Sequence, residues 1–186
     1  MRRRTCFPLI GLAAGLATFG CASAAAPSYR VSLQQLQDVL AQRFPVRYPV
    51  AGLFDVTLEL PTLFLLPDLN RLGAGLPLRA AGPALRRAHG GEVDVDFNLR
   101  YESSDRTVRA HRLRIERLRV DGLTGEAQAL LERSAGDFAR QALLEVVLHR
   151  LRPQELALAD AMGLEPGPIS VTADGLVIEF VNKPPR

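Results

Sequence analysis

Cysteine is scarce in this 186-residue chain: there are two, Cys6 and Cys21. Cys6 lies in an N-terminal apolar stretch that either route of processing discards, and Cys21 is then either a lipid attachment point or discarded with it. No cysteine is left for an internal disulfide. The fold must be held by an apolar core, and about 160 residues are enough for one domain with a real core. Long apolar runs are also missing. Cys6 to Phe19 carries no charge, but it is shorter than the roughly 20 residues a membrane-spanning helix requires. Lysine is reduced to Lys183, which we read as compositional bias and not as a functional signal. Net charge is nearly absent once Arg2, Arg3 and Arg4 are set aside, because 23 basic residues become 20 against 20 acidic ones. A neutral mature chain lacks the basic footprint that nucleic-acid binding requires.

Catalytic signatures are missing as well. There is no Gly-rich phosphate loop, no HExxH, no GxSxG and no paired metal-ligand spacing. Nucleotide folds of the alternating strand–helix kind are excluded with them. The sequence therefore predicts a non-catalytic protein with no cofactor.

What is present begins with an export signal over residues 1–24. Three arginines precede the apolar stretch, and small residues follow it. Ala22-Ser23-Ala24 has the small-x-small form cleaved by a general signal peptidase. Gly20-Cys21 is alternatively the core of a lipobox, in which the Cys21 thiol is acylated. Thr18 stands there in place of the usual Leu, and Phe19 in place of a small residue.

Ser32 and Gln35 form a capping box ahead of Leu33, Leu36, Val39 and Leu40, which predicts a helix over 33–44, stopped by Pro45 and Pro49. Phe54, Val56, Leu58 and Leu60 alternate with polar residues and predict a half-buried strand, interrupted at Pro61. The Gly/Pro/Ala-rich stretch 67–91 reads as a weak strand near Leu76–Ala80 with loop on both sides. Val93, Val95, Phe97, Leu99 and Tyr101 form the apolar face of a strand. Ser103–Arg106 is turn chemistry, and the return strand changes parity after Ala110. A bulge near His111–Arg112 restores the pairing, placing Leu113 and Ile115 inside and Arg114 opposite Asp96 on the wet side. A second parity change at Leu118 and Val120 predicts a strongly bent strand.

The stretch from Gly125 to Pro153 reads as one long helix of some 26 residues, a rod of about 40 Å. Leu131, Ala135, Phe138, Ala142 and Val146 run down one side of it, and Gly136 lets a neighbour approach closely. A short helix over 154–162 follows. A terminal hairpin then pairs Ile169 and Val171 with Leu176, Ile178 and Phe180 around Asp174-Gly175. The predicted class is α+β: a curved antiparallel sheet wrapped around one long helix, with a short N-terminal helix.

"YRVSLQQLQDVLAQRFP" and "MGLEPGPISVTADGLVIEF", with this order of elements between them, resemble the opening and closing segments of the YceB-like family of bacterial envelope lipoproteins. The likeness covers residues 28–181, leaving 182–186 as a tail. That family in turn resembles the tubular lipid-binding (TULIP) superfamily. The resemblance implies an acylated Cys21, a periplasmic location in the bacterial envelope, and a lipid or other apolar ligand between sheet and helix. It implies a pocket along Leu131, Ala135, Phe138, Ala142 and Val146, facing Phe97 and Leu99. The alternative is an envelope docking protein whose interior is fully packed. A continuous apolar cavity of several hundred Å³ favours the first and a close-packed helix–sheet contact favours the second.

Other chemistries are weaker. His89, His111 and His149 show no ligand spacing, and His149 near a helix end is a dipole partner. Asp94 and Asp96 lack the further oxygen ligands that Ca²⁺ requires. The arginines at 106, 109, 112, 114, 117 and 119 read as a charged outer strand face that resists edge pairing.

Overall fold

The computed structural model of the protein describes residues 27–143 and 146–183. The predicted export signal, both of the processing sites expected in it and Cys21 lie outside the described residues. The architecture is α+β, with a curled antiparallel half-barrel sheet and three helices.

The first strand, β1 (Ser28–Ser32), leads directly into helix α1 (Leu33–Ala41). The expected capping box closes the helix N-terminus: the Gln35 backbone N–H donates to Ser32 Oγ at 3.2 Å, and the Ser32 N–H donates to Gln35 Oε1 at 2.9 Å. Leu36 and Leu40 are fully buried on its inner face. The chain then forms β2 (Val46–Val50), β3 (Phe54–Leu58) and β4 (Thr62–Leu66). We did not expect β2, because Pro49 reads as a stop. It is an edge strand of its sheet, where proline is tolerated. The strand predicted through Leu60 ends at Leu58, and Leu60 is exposed.

After a single 3-10 turn (Pro67–Leu69) come β5 (Arg71–Ala81), β6 (His89–Glu102) and β7 (Thr107–Val120). The loop reading of 67–91 is therefore corrected. The 11-residue β5 is central to the sheet, and His89 opens β6. Glycine here does not break the strand but makes room on it. A Cβ at Gly73 would sit 2.0 Å from the Phe64 ring, which lies over that backbone from the neighbouring strand.

Helix α2 (Gly125–Leu143) has 19 residues, about 28 Å. The single long helix is thus not found. The segment read as its C-terminal end is a strand, β8 (Val147–Arg150), paired with β7, and Val146 lies between helix and strand. An apolar run followed by β-branched Val146 and Val147 satisfies the inner side of a sheet as well as a helix buried all round, and periodicity alone does not separate the two. Helix α3 (Pro153–Ala161) and the hairpin β9 (Leu164–Val171) and β10 (Gly175–Asn182) complete the chain much as predicted.

The strand order is β2-β3-β5-β6-β7-β8, with β4 also paired to β5, and a separate sheet β1-β10-β9. All pairings are antiparallel. Asn70, in a left-handed conformation, joins the two sheets. Its Nδ2 donates to the Ile169 carbonyl at 3.2 Å, and its Oδ1 accepts from the Val171 N–H at 2.7 Å. Gly175 is required at the terminal turn, since a Cβ there would sit 2.3 Å from the Val31 carbonyl oxygen.

The bulge in β7 falls where the parity change predicts. Asp96 pairs with Arg114 and Asn98 with His111, so Arg112 is extra and takes a φ of 51°. Ile115 faces Val95 as expected. Leu113 and Ile115 are half-buried against the core, and Arg112 and Arg114 are exposed. A second bulge at Glu116 accounts for the later change of parity. Two bulges in one strand bend and twist it, which curls the sheet.

The first bulge is held from the neighbouring strand. Arg71 donates through one guanidinium nitrogen to the Arg112 carbonyl at 2.7 Å and pairs with Asp96 at 2.7 Å, and through the other nitrogen it donates to Asn98. Arg114 closes on the same carboxylate in two-pronged fashion, at 3.1 and 2.9 Å. Asp96 was expected on the wet face, yet it is 3% exposed because the Arg71 side chain covers it.

Candidate apolar ligand site

Helix α2 lies against β7 and also against β2. These strands are four inter-strand spacings apart in the order, about 19 Å on a flat sheet. A helix some 10–12 Å across touches both only if the sheet curls beneath it. The covered face is therefore concave. Its apolar side chains come from alternate positions: Val56 and Leu58 on β3, Leu78 on β5, Val93 on β6 and Leu118 on β7.

The helix meets this face with Leu131, Ala135, Phe138 and Ala139. Their spacing of four, three and one residues puts them on one side of α2. Leu131, Ala135 and Ala139 are buried, while Phe138 is half-buried and stacks on Tyr48 of β2, with ring centroids 5.4 Å apart and planes at 21°. The gap between helix and sheet is lined by these nine apolar side chains and measures about 10 Å³, barely the room that one water requires. In this closed form it does not hold an acyl chain.

Three of the seven residues expected at the pocket, Leu131, Ala135 and Phe138, come together there. Ala142 and Val146 are buried in the core beyond the gap, and Val146 is not on the helix. Phe97 is fully buried opposite Leu72, and Leu99 is half-buried against the core. Sequence reasoning missed Ala139, which sits one helical turn from Ala135. It also missed the β3 and β5 contributors, whose alternation was legible once β5 was recognised as a strand. Gly136 was expected to admit a close neighbour. A Cβ there would meet only the Arg140 guanidinium, at 3.8 Å.

Phe138→Ala is expected to cost about 2 kcal/mol, the sum of a half-buried side chain and one stacked pair. That is below the roughly 3–5 kcal/mol of a fully buried aromatic. A denaturant titration measures it, and a loss of 4 kcal/mol or so would mean that the ring is a core residue with no free side.

The remaining polar groups lie elsewhere. Tyr29 on β1 donates its hydroxyl to Glu155 at 2.9 Å, and Glu155 accepts from Arg152. Burial and this hydrogen bond push the Tyr29 phenol up to about 12. The His149 ring lies 5.4 Å from that of Tyr29, and its Nε2 is buried with no hydrogen-bond partner among the described residues. Burial holds its pKa below the ordinary value, with Glu155 working against that shift. His89 Nδ1 lies 2.8 Å from the Asp121 carbonyl oxygen. No group of three or more metal-ligating side chains occurs among the described residues. No helix among them is long and apolar enough to cross a membrane.

No protein-family model matches the chain. No curated protein matches it either. Among solved structures it is similar to a lipopolysaccharide binding protein, at 15% identity and a TM-score of 0.31, over 81% of this chain and 46% of that one. The chain thus spans about half the length of that protein, and a likeness of this size carries no statement about function.

Proposed function

We propose that this chain is a non-catalytic binding protein, exported to the bacterial envelope, that takes a lipid or other apolar ligand between α2 and the concave face of the sheet. The observation that carries this reading is the lining of the gap and not its volume, which at about 10 Å³ is close packing. The gap is lined by apolar side chains from the sheet and the helix, and the helix side is half alanine. Alanine faces interlock little, so α2 covers the sheet without being keyed into it by large side chains, Leu131 and Phe138 apart. The ligand enters by lifting α2 off β3, β5 and β6, and it replaces the contacts the helix gives up.

A second reading is favoured by the size of the same gap. About 10 Å³ is close packing, as expected of a docking protein whose interior holds nothing. Titration of the purified chain with a fluorescent fatty acid separates the two. Saturable binding of one probe per chain, displaced by unlabelled lipid, is the result expected of the carrier. Partition without saturation leaves the docking protein.

Membrane attachment rests on Cys21. Radiolabelled palmitate is expected to enter the wild-type chain, and Cys21→Ser to lose both the label and the membrane fraction. A mature chain that starts at Ala25 and carries no label would show the soluble export route instead.

A further inference from the structure

An open cleft of about 310 Å³ lies between the end of β7 and the first turns of α2. Its polar lining includes Arg119, Asp121, Gln128 and Glu132, and Gln128 Nε2 donates to Glu132 Oε1 at 2.8 Å. The chain reverses beside it at Gly122, which has a φ of 65°. A Cβ there would sit 3.1 Å from the Arg87 guanidinium, so a second cation stands at the same edge. Leu118 and Leu131 line both this cleft and the apolar gap beneath α2. A polar, open space and an apolar, nearly filled one therefore share one pair of leucines, one from the sheet and one from the helix.

Resting on the reading above, we propose that this cleft is the mouth of the ligand site and that the ligand is an amphiphile with a single acyl chain. The head stays among Arg119, Asp121 and Glu132, beside Gln128, and the chain passes between Leu118 and Leu131. The cleft offers both signs of charge, which satisfies a polar head without burying an unpaired charge. Its volume is at the lower end of the range for small-molecule sites. The leucine pair passes one chain side by side with the alanines of α2, and the passage is closed until the helix lifts.

The chain contains no tryptophan, so an introduced one reports a single place. Gln128 is exposed, and Gln128→Trp puts the reporter in the cleft without disturbing the core. Phe138→Trp, an aromatic exchange, puts it at the gap. Each variant is titrated with hexadecanoic acid brominated either beside the carboxyl group or at the far end of the chain, and with lysophosphatidylcholine brominated at the same two places. Gln128→Trp is expected to lose more fluorescence to the head-side bromine, and Phe138→Trp more to the far-end bromine. The arm that saturates at lower concentration identifies a carboxylate or a phosphate head. Saturable quenching of Phe138→Trp, with Gln128→Trp untouched or quenched from the chain end, overturns the mouth and leaves the ligand site standing. If neither variant is quenched saturably by any of the four ligands, the ligand site itself is refuted.

Discussion

Asp96→Ala is expected to destabilise the protein by about 3–5 kcal/mol, the cost of leaving a buried partner charge without its counter-ion. The Asp96 side chain is 4% exposed and that of Arg71 is 9% exposed, so the guanidinium is left mostly buried without its counter-ion once the carboxylate is gone. The neighbouring Arg114 is 57% exposed and is released to water at little cost. Arg71 also holds the carbonyl of the bulged Arg112, so the damage reaches the strand that curls the sheet. Replacing both members with apolar residues, Arg71→Met with Asp96→Leu, is expected to recover most of the loss, because no buried charge then remains. Urea titrations of the three chains measure this. A single variant within about 1 kcal/mol of wild type would place the pair among ordinary surface bridges.

The same carboxylate sets an acid limit. Burial pushes the Asp96 pKa up, but hydrogen bonds and charges from Arg114 and Arg71 outweigh it and hold the group below its ordinary 3.8. The depressed carboxylate contributes stability that is fully present above the unfolded-state value. That stability is lost as pH falls through the folded one. Wild type is expected to lose stability below about pH 4 more steeply than the Arg71→Met, Asp96→Leu chain.

Ala139→Trp is expected to abolish binding of a single-chain probe. Ala139 is 1% exposed and lines the gap. An indole has no room in about 10 Å³ and occupies the ligand's position while it lifts the helix. Overpacking costs typically about 1–3 kcal/mol for added methylenes and more for a whole indole, so a denaturant titration of the variant accompanies the binding assay, which is read only on folded chain. The control is Arg133→Trp, on an exposed position of the same helix, with binding expected unchanged. Affinity is expected to fall by at least about tenfold, or 1.4 kcal/mol, relative to that control. Equal affinities in the two variants would move the ligand away from α2.

Much of this fold was legible because one face of each element is apolar and the other is not. Ser32 and Gln35 announced α1, and Asp174-Gly175 announced the last hairpin. The parity change after Ala110 placed a bulge within one residue, because register in a half-buried sheet is fixed by which side chains reach the core. Two kinds of element were not legible. The first is β5, where Gly73 and Gly75 look like loop but lie under the side chains of neighbouring strands: the Phe64 ring covers Gly73, and Glu92 and Asp94 stand over Gly75. The second is the junction between α2 and β8, where an apolar run carries no period to choose between helix and strand. At the site, the helix side was visible in Leu131, Ala135 and Phe138. The sheet side was hidden, because Val56 and Leu78 meet through the pairing of β3 with the unrecognised β5, and Leu118 on β7 approaches them only through the curl.

Native mass spectrometry of the protein purified from the cells that make it tests the central claim most directly. A population carrying one non-covalent lipid per chain, lost in Ala139→Trp and retained in Arg133→Trp, is the predicted result. A wild-type chain that carries no lipid beyond an acyl group covalently attached at Cys21, under conditions that preserve other lipid complexes, would contradict it.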